Sequence, residues 1–166
     1  MTEKLNLLQD VSREEQYKSL LPQIEGLLSG ETDMIANMAN VSAVLKEAFH
    51  FLWVGFYIIK NNQLVLGPFQ GKIACTRIAY GKGVCGTAWK EDKIQIVEDV
   101  NTFPGHIACD AESLSEIVLP IRINDSIMGV LDIDSEYIGC FSEIDATYLE
   151  QIVLLLSCLL YTSDAA

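Results

Sequence analysis

Two dipeptides constrain the fold of this chain more tightly than any other feature. Asn61-Asn62 separates Trp53–Lys60 from Leu64–Phe69, and Asn124-Asp125 separates Glu116–Ile123 from Ser126–Asp134. All four flanking runs are rich in β-branched and aromatic residues, and a pair of Asn/Asp residues between such runs is a hairpin turn. The chain is therefore expected to form two hairpins, with a further strand at Lys93–Val97 and a short helix at Gly83–Lys90. Around this β-rich middle the periodicity is helical. Ser12 with Glu15 fits a capping box, and Tyr17, Leu20, Leu21, Ile24, Leu27 and Leu28 recur at helical spacing, with a break or restart expected at Pro22. A second helix is expected after Thr32, with Ile35, Met38, Ala39, Val44, Leu45 and Phe49 inward. A closing helix is expected from a Ser142 cap to Leu156, with Glu143 and Asp145 at its positive end. The sum is an α+β domain, an antiparallel sheet with flanking helices.

The 166 residues, half of them apolar, suffice for one domain with a substantial core, and no repeat or linker divides them. Twenty-three acidic against 11 basic residues give a net charge of −12, which opposes a phosphate backbone and excludes nucleic acid as an expected partner. Met1–Gln16 holds several charges and no apolar leader, so the expected compartment is the cytoplasm. The apolar residues from Ile152 to Leu160 fall well short of the ~20 needed to span a bilayer. They read as a packed helix, with no membrane partner.

Five cysteines in a reducing compartment point to chemistry more than to a disulfide framework. Cys75, Cys85 and Cys109 share one stretch with Gly71, Gly81, Gly83, Gly86 and Gly105, a combination of thiols and loops that fits a redox site. Other readings stay open on these residues. Cys75, Cys85, His106 and Cys109 could ligate zinc, although no C-x2-C pair occurs; His106 with Cys109 could serve a cysteine hydrolase; and any single cysteine could simply fill a core. Gly81-x-Gly83-x-x-Gly86 matches a short nucleotide fingerprint but lacks its strand and crossover context. In a strand, Asp132 and Asp134 share one face while Leu131 and Ile133 share the other. Crowded with Glu116, these carboxylates would raise one another's pKa and keep a proton near neutral pH; solvated edge carboxylates are the alternative. Trp53 and Tyr57, four apart on one strand, also share a face, as pocket or as core.

WVGFYIIKNNQLVLGPFQGKIACTRIAYGKGVCGTAW, NTFPGHIACDAESLSEIVLPI and MGVLDIDS resemble the free methionine-(R)-sulfoxide reductases, which are built on a GAF domain. The likeness runs from about Tyr17 to Leu156. It implies a GAF-like domain over residues 1–157 that reduces free L-methionine (R)-sulfoxide, with thioredoxin as reductant and a homodimer as assembly. A non-catalytic GAF sensor of small molecules is the alternative. The resemblance also implies the roles. Cys109 in GHIACD would be the nucleophile, Cys75 the resolving thiol and Cys85 an auxiliary for an alternative disulfide. Asp134 would be the acid, Glu116 and Asp132 would hold the substrate ammonium, and Trp53 would pack on the substrate methyl group, with Tyr57 beside it. Such chemistry needs a thiolate, an acid and a second thiol that condenses with the resulting sulfenic acid, and it needs neither cofactor nor metal. Backbone N–H groups of Ile107–Glu112 are the expected donors to the substrate carboxylate. The ending CLLYTSDAA, 158–166, departs from the family and reads as a non-native tail that does not continue the closing helix.

Overall fold

The computed structural model describes residues 4–106 and 111–163. Its sheet has six antiparallel strands: β1 (Trp53–Lys60), β2 (Gln63–Gln70), β3 (Arg77–Ala79), β4 (Gln95–Val97), β5 (Ser115–Ile123) and β6 (Ser126–Ser135), in spatial order β3-β2-β1-β6-β5-β4. The helices are α1 (Arg13–Leu28), α2 (Met34–Phe49), α3 (Gly83–Glu91) and α4 (Glu143–Ser163). Both hairpin turns form as expected. Asn61, Asn62, Asn124 and Asp125 all have φ between 50° and 62°, the left-handed pairs that match strand twist.

Alternation along the central strands divides the interior in two. Val54 and Phe56 of β1, Ile117, Leu119 and Ile121 of β5, and Leu131 and Ile133 of β6 face the larger core, packed under α1, α2 and α4. Trp53, Tyr57, Val118 and Val130 face the other side, where α3 supplies Val84, Cys85 and Ala88. The sheet is thus covered on both faces, and the second face carries the buried carboxyl groups of its strands, Glu116 and Asp132.

Three local expectations are corrected. Pro22 neither ends nor restarts α1, which runs unbroken across it. The ring is exposed, so the Lys18 carbonyl that loses its N–H partner lies toward water, while buried Leu20, Ile24 and Leu28 hold the helix from its other face. Ile35, expected to be inward, is 56% exposed because it lies on the outer side of the first turn of α2. The closing helix does not stop at Leu156 but continues through Ser163, since no glycine or proline interrupts Ser157–Ser163. The short strand β3 and a 3-10 turn at Val100–Thr102 were not anticipated.

Asp145 stands in the first turn of α4 as expected, and it has a second role. Only 1% exposed, it accepts a hydrogen bond from Tyr17 Oη at 2.9 Å and from the Ser142 backbone N–H at 2.9 Å, and lies 3.6 Å from Arg13 Nε. It locks α1 to α4. Asp145→Ala strands the Tyr17 hydroxyl, and it is expected to cost about 3 kcal/mol, the range for breaking a buried charged hydrogen-bond network. Urea unfolding monitored by circular dichroism checks this.

Candidate active site

Strand register builds the site. Across β1, β6 and β5, Trp53 pairs with Asp134 and Asp134 with Glu116; one row on, Gly55 pairs with Asp132 and Asp132 with Val118. The period of two turns all of these to the second face. An indole and three carboxyl groups from three strands therefore line one cavity of about 50 Å³, together with Tyr57, Cys85, His106 and Ser113. That size suits a ligand of few heavy atoms.

Trp53 is held at several points. Its Nε1–H donates to the Lys72 carbonyl at 3.0 Å, and its ring stacks on Phe69 and Tyr57. Gly55 makes room for it: a Cβ there would lie 2.3 Å from the indole and 2.4 Å from Phe69 Cβ. Gly55→Ala is accordingly expected to displace the ring and weaken ligand binding about tenfold, with a stability loss of about 1–3 kcal/mol. Indole fluorescence during ligand titration reports both. The Tyr57 hydroxyl donates to the Cys75 carbonyl at 3.0 Å, tying the cysteine loop to the cavity wall. Cys75 itself is half-buried and disulfide-bonded.

Glu116 and Asp132 are each 6% exposed. Burial, reinforced by the neighbouring Asp132 and Asp134 carboxylates, pushes Glu116 well above the usual carboxylate range. Burial pushes Asp132 up to about 6, with hydrogen bonding to Cys85 and Glu116 acting the other way. The expected crowding of acids is therefore present, and burial is the larger cause. Asp134 is half-buried and accepts a 2.5 Å hydrogen bond from Ser113 Oγ. Cys85, 3% exposed and free, has its Sγ 3.9 Å from Glu116 Oε1; burial and the adjacent acids push its thiol up, which favours the protonated form.

Cys85, Glu116 and Asp132 bring one ligand atom each within 4.8 Å of one another, the spacing of a cation site. Among the described residues neither Cys75 nor His106 joins that cluster. A metal there would require the loss of protons that burial favours keeping. An ammonium ion needs only the ionised Asp132 and neighbouring acceptors, and Asp132 Oδ1 is buried with no hydrogen-bond partner.

Cys109 lies outside the described residues, as do Ile107–Asp110 of the expected carboxylate donors; Ala111 and Glu112 form an exposed turn. Cys140 and Cys158 are free and stand apart from the cavity. The sequence offered no signal for Ser113 or Lys82, which also line the cavity; His106, raised there as a zinc ligand or hydrolase partner, lines it too.

The family model of the GAF domain matches residues 32–158. GAF domain-containing protein A of Dictyostelium discoideum is 62% identical over 146 residues, covering 87% of this chain and 92% of that protein. Free methionine-R-sulfoxide reductase of Escherichia coli is 49% identical over 155 residues, 93% and 94% of the two chains. The crystal structure of free methionine-R-sulfoxide reductase from Neisseria meningitidis, in complex with its substrate, superposes with a TM-score of 0.94 at 45% identity over 98% of each chain. Identity at this level, extending through the strands that carry the cavity, places the chain in the free methionine-(R)-sulfoxide reductase family, whose fold is the GAF domain.

Proposed function

We propose that this protein reduces free L-methionine (R)-sulfoxide to L-methionine, using its own thiols as the immediate source of electrons. The observation that carries this is the row of Trp53, Asp134 and Glu116 beside the unpartnered Asp132 oxygen, in one small cavity. The indole face suits a methyl group and a polarizable sulfur. Asp132 suits the ammonium. Glu116 is the acid that its surroundings keep protonated, and it stands opposite Asp134, the donor implied by family resemblance.

In the reaction, the Cys109 thiolate attacks the sulfoxide sulfur while the carboxyl cluster protonates the sulfoxide oxygen. The oxygen passes to Cys109 as a sulfenic acid, the substrate sulfur gains two electrons, and methionine leaves. The Cys75 thiol then attacks the sulfenic sulfur, a second proton completes the departing water, and a disulfide remains. An external dithiol, thioredoxin in this proposal, returns two electrons and two protons. That Cys75 is disulfide-bonded here supports its place in such a cycle. Cys85 serves as a neutral thiol in the cavity wall and as the auxiliary cysteine. A homodimer in the cytoplasm completes the proposal.

The test is methionine formation from the (R) and (S) epimers of free L-methionine sulfoxide with thioredoxin, its reductase and NADPH. Turnover of the (R) epimer alone is the expected result. Ligand binding without turnover of either epimer would replace the reductase by a small-molecule sensor.

A further inference from the structure

Cys85 comes from α3, Glu116 from β5 and Asp132 from β6, so three segments far apart in the chain each deliver one ligand atom to a single point. All three residues are buried, at 3%, 6% and 6% exposure. A thiol with two carboxyl groups is the donor set of a thiophilic divalent cation, since magnesium and calcium take oxygen alone. The spacing is close to what zinc requires. A tetrahedral zinc ion, with sulfur at about 2.3 Å and oxygen at about 2.0 Å, holds those two atoms about 3.5 Å apart. Cys85 Sγ stands 3.9 Å from Glu116 Oε1, a difference that a small side-chain rotation closes. A second observation also points to a ligand. Asp132 Oδ1 is buried without a hydrogen-bond partner on a residue that lines the cavity, an acceptor left open to a cation.

We infer that Cys85, Glu116 and Asp132 bind zinc or a similarly thiophilic divalent cation, and that this ion shuts out the substrate by taking the place of its ammonium group. Binding is an exchange. The Cys85 S–H and Glu116 O–H protons leave as the metal–sulfur and metal–oxygen bonds form, Asp132 supplies the third bond, and a water on the cavity side completes the tetrahedron. Two protons go out and one divalent ion comes in, so the net charge of the cluster is the same before and after. The buried site is therefore spared the cost of bare anions. No step of the proposed reduction calls on this ion. Metal and substrate compete for Asp132, and the metal-bound protein is an off state set by the free concentration of a thiophilic cation. The competition rests on the reductase reading for the identity of the ammonium group, whereas the metal site does not.

The experiment uses protein with its Cys75 disulfide intact, so that Cys75 offers no thiolate to the metal. Zinc chloride is titrated by calorimetry into wild type, Cys85→Ser, Glu116→Gln and the control Cys140→Ser, whose free thiol stands apart from the cavity. Wild type is expected to bind zinc at this site. Cys85→Ser should weaken that binding about 100-fold or more, since it removes the soft ligand of the three, Glu116→Gln should weaken it less, and Cys140→Ser should leave it unchanged. Magnesium chloride should not bind there. Cobalt(II) in place of zinc should give a thiolate charge-transfer band that is lost in Cys85→Ser and that carboxylates alone do not produce. L-methionine binding, also by calorimetry, should weaken about tenfold when free zinc stands at about ten times its own Kd. Zinc binding that survives Cys85→Ser, no zinc binding, or L-methionine affinity indifferent to zinc would each overturn the assignment. A sensor without turnover would still bind zinc in this way, so failure of the metal site and failure of the reductase reading are told apart.

Discussion

A Cys109→Ser variant is expected to form no methionine, in steady state or in a single turnover, with a loss on the order of 10³-fold or more. A serine hydroxyl is not ionised near neutral pH and is a weak nucleophile toward sulfoxide sulfur, so the first bond does not form. Cys75→Ser should behave differently. Its Cys109 can still take the oxygen, so rapid-quench analysis should show a burst of one methionine per active site, after which turnover with thioredoxin stalls because no disulfide forms. The contrast assigns the two thiols. A burst from Cys109→Ser, or none from Cys75→Ser, would invert the roles. Since Cys85 is buried beside Glu116, where the protonated thiol is favoured, Cys85→Ser should retain the first burst.

Asp132→Asn is expected to weaken binding of L-methionine about 100-fold at pH 7.5 while making the ligand-free protein more stable. Both effects follow from one burial. In the native state the Asp132 carboxyl is pushed up to about 6 from an ordinary value of 3.8. Between those values the unfolded chain has released this proton and the native protein still holds it, so the native state binds more protons and stability falls as pH rises. The contribution is fully present below about pH 4 and lost by about pH 6, a change of about 3 kcal/mol at most. Asparagine cannot ionise and escapes the loss. Guanidinium unfolding of wild type and variant between pH 4 and 7.5 should therefore diverge, with the variant favoured at the upper end. Ligand affinity runs the other way. In the proposed site the ionised carboxylate takes the ammonium, so wild-type affinity should rise as pH increases through about 6 and flatten above, and the variant should lack that rise. An equal stability difference at pH 4 and pH 7.5 would show that Asp132 does not carry the shift.

Opposite signs for stability and binding explain why such a group sits in the sheet at all. Three carboxyl groups facing one small cavity repel and desolvate one another in the free protein. A cationic ligand relieves both costs, so the arrangement favours the occupied state. The half-buried Asp134 has relief from Ser113, whereas Asp132 Oδ1 has none, which makes Asp132 the most sensitive reporter of occupancy.

Features governed by neighbouring residues were readable from the chain. Asn61-Asn62 and Asn124-Asp125 turn because Asn and Asp accept left-handed backbone, and Ser12 with Glu15 caps α1 because the partners lie three residues apart. The shared face of Asp132 and Asp134, and that of Trp53 and Tyr57, needed only the two-residue strand period. The motifs carried the family as well. What depends on distant segments was decided by the tertiary structure. No local rule sets β6 between β1 and β5, yet that order alone puts Glu116 in one row with Asp134 and Trp53. Nor does one bring Cys85 within 3.9 Å of Glu116, which takes the return of α3 over the sheet. The unbroken passage of α1 through Pro22 and the outward Ile35 depend on where the larger core lies. Likewise, Glu116, Asp132 and Asp134 can be read off the sequence, but burial by residues far along the chain raises two of them, because desolvation depends on everything packed around a group and not on its neighbours in sequence.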